Sequence, residues 1–247
     1  MGNLDNPLVL AIETSGRLGS VALAWGDKLL AESHFSGPMR HSAEIFPAIT
    51  DLLSRFDKKP DQIEHVYISV GPGSFTGLRI AVTLAKTLAL ANGAKIVAVD
   101  TLDCIAANVL SKSDESDRSD WSDRLAVILD AKRGQFFIAV YDKTSHGSRD
   151  TSDVNWHKIL PDSLITAEEF LDRFPDKTTA LIGEGLVFYK DKFANPNVRF
   201  LDEKFWNPSA ANIYRLGRQL ALQNQFADPL TLTPNYIRGP DAIVKQR

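Results

Sequence analysis

The sequence predicts an α/β protein of two lobes, and two observations predict it. Strand-like runs followed by helical runs occur once before residue 108 and again after residue 124. Between them lies a polar stretch, Ser111 to Asp123, with five acids and two bases, too hydrophilic to pack and expected as a mobile surface loop. The expected division is therefore 1–108 for the first lobe, 109–123 for the acidic loop and 124–247 for the second lobe. A helix at 208–224 is a candidate to pack back on the first lobe.

Each element has its own signal. "LVLAIETS", Leu8 to Ser15, is a short apolar run that stops in polar turn residues, and "GSVALAWGDKLLAESHFS" adds two more runs around Gly26-Asp27. Together they read as a three-stranded meander. In "HSAEIFPAITDLLSRF", Ile45, Phe46, Ile49, Leu52, Leu53 and Phe56 recur at helical spacing. Ser42 is the expected cap, and Pro47 removes a helix hydrogen bond, so a disturbed start is expected. "IEHVYISVG" is a buried strand, "AKIVAVD" another, and "TLDCIAANVL" a short helix.

The pattern then restarts. "RLAVILDAKRGQFFIAVYDKT" is two strands around a turn at Lys132-Arg133-Gly134. "HKILPDSLITAEEFLDRF" is a short strand and a helix, with Thr166 and Glu169 spaced as a capping box. "TTALIGEGLVFY" is a strand entering a glycine turn, and "NPSAANIYRLGRQLALQNQ" an amphipathic helix with Pro208 and Ser209 at its start. The proline-punctuated tail "DPLTLTPNYIRGPDAIVKQR" is expected to be irregular.

Composition narrows the function. The 247 residues are 44% hydrophobic and 24% charged with net charge −3, and no basic run of the nucleic-acid kind is present. No stretch approaches the roughly 20 apolar residues of a membrane span. "MGNLDNPLVLAIETS" has no basic region before its apolar run, so no secretory signal is expected, and Asn6 stands where a myristoylation signal prefers Ser or Thr. The single cysteine, Cys104, excludes an internal disulfide and points to the reducing cytoplasm. Its apolar context suits a small buried hydrophobe.

The richest stretch is "SVGPGSFTGLRIAVTLAKTLALANG", Ser69 to Gly93. Its turn, Gly71 to Gly77, stands between a strand and a helix, where free N–H groups can hold an anion. The other reading is architectural: the glycines allow close packing while Ser74 or Thr76 caps the helix. Neither a P-loop nor G-x-G-x-x-G is written there. Glu13, Thr14 and Ser15, at the end of the first strand, join Gly71, Gly73, Ser74 and Thr76 as candidate anion or nucleotide contacts. Asp100 and Asp130 also end strands. The helix from Leu78 to Ala91 is apolar nearly all round, so either its own domain or a partner chain covers it. The five histidines form no H-x-x-x-H or H-x-x-E-H pair, so no metal site is expected. Nothing assembles a Ser-His-Asp set.

These motifs carry a resemblance. "LAIETS" with "GSVALA", "RHSAEIFPAI", "SVGPGSFTGLRIAVTLAKTLA", "LAVILDAKRGQFFIAVYD", "LIGEGL" and "TPNYIR" are similar to the TsaB (YeaZ) family over nearly the whole chain. The "GPGSFTGLRI" block is the most specific of them. The resemblance implies an actin-like, sugar-kinase-like (ASKHA) fold with a mixed sheet and helices in each lobe. It implies a part in making threonylcarbamoyladenosine in tRNAs that read ANN codons. The family pairs with the catalytic TsaD, or with itself as a homodimer, through the first two helices, and the ATPase TsaE joins. The catalytic sisters hold metal with H-x-x-x-H on the first helix. Here that stretch is His41-Ser42-Ala43-Glu44-Ile45, so the second ligand is isoleucine. The acidic segment is longer than the family pattern.

The leading expectation is thus a non-catalytic, helix-presenting subunit with no tightly bound cofactor, ATP entering only in the complex and tRNA only through it. Ile45, Ile49, Leu52 and Leu53 of the first helix, and Leu78, Val82 and Ala85 of the second, are the expected partner contacts. The alternative is an actin-like ATPase or small kinase using Glu13, Thr14 and the turn Ile182 to Leu186. A metallopeptidase is the third reading.

Overall fold

The computed structural model describes residues 6–110, 122–144 and 155–238. Most of the acidic segment, Ser111 to Trp121, lies outside the described residues, so the loop expected there does too.

The first lobe is a five-stranded sheet. β1 (Leu8–Glu13), β2 (Ser20–Trp25) and β3 (Lys28–His34) form the meander. α1 (His41–Arg55), β4 (His65–Gly71), α2 (Phe75–Asn92) and β5 (Lys95–Asp100) follow. The strand order is β3-β2-β1-β4-β5, with β4 parallel to β1 and β5 parallel to β4. Strands buried on both faces need helices on both sides. α1 and α2 cover one side, where Leu8, Leu10, Ile12, Val66 and Ile68 meet Ile45, Leu52, Ala81 and Ala85. α3 (Thr101–Leu110) and α6 (Ala210–Leu222) cover the other, where Val9, Ala11, Tyr67 and Val97 meet Cys104, Ile213 and Tyr214.

The second lobe repeats the plan. β6 (Arg124–Asp130), β7 (Gln135–Thr144) and β8 (Asn155–Thr166) form a meander, followed by α4 (Ala167–Arg173). β9 (Thr179–Ile182) runs parallel to β6, then α5 (Leu186–Tyr189), then β10 (Val198–Phe200) parallel to β9. The order β8-β7-β6-β9-β10 is the first lobe's order element for element. Arg124 opens β6, and its guanidinium donates to Asp142 at 2.6 Å and to Asp176 at 2.7 Å. α3 joins the lobes: Cys104 packs in the first, Leu102, Ile105, Ala106 and Val109 in the second.

α6 belongs to the first lobe in space although it follows the second in sequence. Its early N–H groups need acceptors. Ser209 accepts from Asn212, Ser20 Oγ from Ala210 at 2.8 Å, and Glu32 from Ala211 at 3.2 Å. Gly217 lies on Tyr67, where a Cβ would come within 2.7 Å of the ring.

Three local expectations are corrected. Ser42 does not cap α1; Arg40 holds the cap position with no side-chain cap bond. Glu44 instead binds the preceding turn, accepting from Ser36 N and Oγ at 2.6 Å each, and pairs with Arg40. Pro47 does not disturb α1, which runs unbroken. Pro47 and Ala43 are both exposed, so the Ala43 carbonyl left without an N–H partner faces water. The short strand of the second lobe is a twelve-residue edge strand, β8, which tolerates Pro161 through register shifts. The Thr166 capping box forms as expected, Glu169 N–H donating to Thr166 Oγ1 at 3.1 Å and Thr166 N–H to Glu169 at 2.8 Å.

Candidate functional site

A cleft of about 800 Å³ opens between the lobes, and the glycine turn forms one wall of it. Ser15, Gly16, Arg17, Gly73 and Ser74 face Asp130, Lys132 and Glu184 across it. This is where the open ends of parallel strands place ligands in α/β sheets.

Several candidate anion contacts bond within the chain, while Glu13 Oε2 is buried without a hydrogen-bond partner among the described residues. Glu13 is fully buried, and its Oε1 accepts from Ser15 N–H and Ser15 Oγ at 2.5 Å each. Burial raises the Glu13 carboxyl above its ordinary value, against the pull of the Ser15 bonds. Thr14 Oγ1 donates to the Gly77 carbonyl at 2.7 Å, and Ser74 N–H to the Ser15 carbonyl at 2.7 Å. Ser74 Oγ caps α2 by accepting from Gly77 N–H at 3.3 Å. The glycines are required by contact. A Cβ on Gly77 would lie 1.8 Å from the Thr14 carbonyl oxygen, and one on Gly73 2.6 Å from that of Ser15. Gly71 has φ +119°. Ser15, Gly73 and Ser74 do line the cleft, whereas Glu13, Thr14 and Gly71 are buried beneath it and Thr76 is exposed on α2.

The opposite wall is also engaged. Asp130 accepts from Lys132 N–H and Nζ at 2.7 Å each. Gly183, at φ +115°, lies against the Ile128 carbonyl. Burial raises the Glu184 carboxyl, with Arg17 opposing. Asp100 points elsewhere, to a cluster where Lys158 meets Asp103 at 2.7 Å and Asp162 at 2.5 Å. Among the described residues, no three His, Cys, Asp or Glu side chains are arranged to hold a metal ion. His41 is buried, with Nε2 donating to the Gly16 carbonyl at 3.0 Å and its ring tilted on Phe35. Burial lowers its pKa. Cys104 is the buried hydrophobe expected, its thiol pushed up by burial.

All seven expected partner contacts are buried in the chain itself. Ile45, Ile49, Leu52, Leu53, Val82 and Ala85 sit in the first lobe's core, and Leu78 lies under the cleft. The apolar stripe of a helix goes to its own sheet first, because that contact is always available. What α1 and α2 turn outward is a second surface. It holds Phe46 at 61% exposure, with Ala43, Pro47 and Thr50 exposed beside it. α2 adds Phe75, Thr76, Arg79, Thr83, Thr87, Leu90 and Ala91, with Ile80, Leu84 and Leu88 half-buried. Arg79 and Lys86 are the only charged residues in the 18 of α2. The sequence signal was the apolar character all round the helix, which periodicity alone cannot divide into inner and outer faces.

Among the described residues no helix is long and apolar enough to cross a membrane. Comparison with known proteins agrees with the fold. Residues 37–173 match the family model described as TsaD, tRNA N6-adenosine threonylcarbamoyltransferase. The chain is 28% identical to the tRNA threonylcarbamoyladenosine biosynthesis protein TsaB of Bacillus subtilis, over 96% of both chains. It is 25% identical to the protein of the same name from Escherichia coli, over 94% of both. The solved structure of YeaZ from Pseudomonas aeruginosa superposes with a TM-score of 0.73 at 21% identity, covering 93% of this chain and 99% of that one. The shared plan is the two-lobed, actin-like α/β fold. The chain belongs to the TsaD family, and within it is similar over nearly its whole length to proteins named TsaB.

Proposed function

We propose that this chain takes part in making threonylcarbamoyladenosine in tRNA as a non-catalytic subunit, docking on a TsaD homologue through the outward faces of α1 and α2. The observation that carries the reading is the outward face of α2: hydroxyls, alanines and leucines, with Leu90 90% exposed and two charges in 18 residues. Two such helices side by side suit packing against a helix pair of another chain, whether a TsaD homologue or a second copy. A TsaE homologue joins that assembly, and tRNA meets this chain only within it. The non-catalytic part of the reading is supported by Ser15 and Asp130, cleft groups that bond to Glu13 and Lys132 of the same chain. It is also supported by Ile45, a core residue where the catalytic pattern needs a ligand. No nucleotide is held tightly by the isolated chain, and ATP enters at the assembled interface.

Phe46→Asp and Leu90→Glu test this on exposed positions. Each is expected to abolish co-purification with the TsaD homologue and to weaken self-association, with the thermal midpoint kept within about 3 °C. Retained co-purification in both variants rejects the interface. Val82→Glu is unsuitable, since it places a carboxylate in the core. Calorimetry with Mg-ATP on the isolated chain is expected to give no binding; tight binding with turnover favours the kinase reading.

A further inference from the structure

The segment Thr233 to Arg238, "TPNYIR", is not used in that reading, yet Asn235, Tyr236 and Arg238 are each tied down. Leu232 packs against the first lobe's core. Asn235 N–H then donates to the Val70 carbonyl at 2.7 Å, where β4 ends. Its own carbonyl lies so close to Gly71 that a Cβ there would stand 2.9 Å away. The Tyr236 ring packs on Phe75 with centroids 5.1 Å apart, and its hydroxyl accepts from Arg79 Nε at 3.1 Å. Arg79 also lies over the Phe75 ring, 3.8 Å from its centroid. Up to this point every partner is in the first lobe. Arg238 then reaches the second: its guanidinium donates to the Ala131 carbonyl and to Gln135 Oε1.

We propose that Thr233–Arg238 is a strap that latches the two lobes across the open side of their cleft. The hinge side is held by α3, whose residues sit in the cores of both lobes. Asn235 to Arg238 line the cleft itself, so the strap is part of its wall. The latch end is well chosen. The β6–β7 turn carries three consecutive left-handed residues, Lys132, Arg133 and Gly134, closed by Ala131 N–H to the Gln135 carbonyl at 3.1 Å. Ala131 and Gln135 are the two ends of that turn, and one planar guanidinium holds both with separate N–H groups. A lysine has no second donor in that plane. The anchor end is the first turn of α2, so the opening of the cleft is mechanically linked to where α2 begins. Widening the cleft requires Arg238 to let go.

The test is an inter-lobe distance measured by paired spin labels on Asp27→Cys in the β2–β3 turn and Glu168→Cys in α4, both exposed. Native Cys104 is buried and does not label. In the full chain a single narrow distance distribution is expected. Arg238→Ala, and separately Gln135→Ala, are expected to broaden it toward longer distances, with Arg238→Lys between them and the wild type. Hydrogen exchange at the Asn235 amide is expected to quicken on the order of tenfold in Arg238→Ala, while the β1 and β4 amides hold their rates. A chain ending at Leu232 gives the fully released reference. Distributions for Arg238→Ala and for that shortened chain that superpose on the wild type overturn the proposal. So does loss of β1 and β4 protection along with the widening, which identifies general unfolding instead of release of a latch.

Discussion

The two lobes answer the same topological problem with the same turn and then diverge. β4 ends at Gly71 with φ +119°, and β9 runs into Gly183 with φ +115°. Two residues on, Gly73 presses against Ser15 at the end of β1, and Gly185 against Ile128 and Asp130 at the end of β6. After the shared turn, the first lobe builds an 18-residue helix and the second a single turn of four. The repeated part is the part that contacts backbone; the divergent part faces outward. The glycine turn is therefore a joint required by the fold, and the length and surface of the following helix are where the first lobe specialises. The halves also differ in what opens the first strand: Leu8 in an apolar core in β1, Arg124 with Asp142 and Asp176 in β6.

The largest expected effect tests whether the joint is architecture in both lobes. Gly77→Ala forces a Cβ against the Thr14 carbonyl, and Gly183→Ala one against that of Ile128 at 2.2 Å, with a left-handed φ in addition. Each is expected to cost about 3 kcal/mol or more. For a chain of this length that lowers the thermal midpoint by roughly 6–12 °C. A Gly77→Ala protein with an unchanged midpoint breaks the equivalence and returns the turn to a ligand role.

Acid separates the lobes next. His65, in the first lobe beside Tyr67 and Phe226, has its pKa pushed down from 6.5 to about 4 by burial, with Lys95 adding to it. Between those values the unfolded chain takes a proton that the folded one refuses. Stability therefore falls as pH drops from about 6.5 to about 4, by about 1–2 kcal/mol once partial exposure is allowed for. In the second lobe, burial works to raise Asp142, but hydrogen bonds from Arg124 and Lys177 outweigh it and hold the carboxyl below 3.8. That contribution is present above about pH 4 and is lost as pH falls through the folded value. Denaturant titrations are expected to lose the His65 part of the slope between pH 6.5 and 4 in His65→Phe and to keep it in Asp142→Asn. The reverse assignment contradicts the scheme.

The smallest expected effect concerns the specialised helix. α2 starts with a side-chain cap from Ser74, whereas α5 starts at Gly185 without one. Ser74→Ala is expected to cost about 1 kcal/mol, read as a shift of the denaturant midpoint with unchanged slope. A loss well beyond that points to a further Ser74 contact in the cleft.

How much of this was legible in the sequence depends on the range of the forces involved. Hydrophobic period and turn chemistry are local, so the two meanders, the turn at Lys132 to Gly134, the Thr166 capping box and the α6 start at Ser209 could be read directly, though not the positive φ of that turn. The glycine turn was legible as a choice between two roles. The missing ligand at Ile45 was legible as soon as the motif was aligned. The errors fell where a local rule met a surface: Pro47 sits harmlessly in α1 because its side of the helix is solvated, and Ser42 yielded to a different contact at the helix start. The ion pairs of Arg124 with Asp142 and Asp176, and of Lys158 with Asp103, join residues far apart in the chain, and no spacing rule finds them.

By itself the sequence determined most element types and their order, with α5 and β10 the exceptions, the two-lobed plan and the absence of a helical histidine pair, because these follow from side-chain period, backbone freedom and residue identity. Only the tertiary structure decided which way the apolar helices face. It also decided that Thr14 bonds to α2 and Ser15 to Glu13, and that an unremarkable tail lines the cleft. Each of these depends on which distant groups come within a few ångström, and that is set by packing the whole chain.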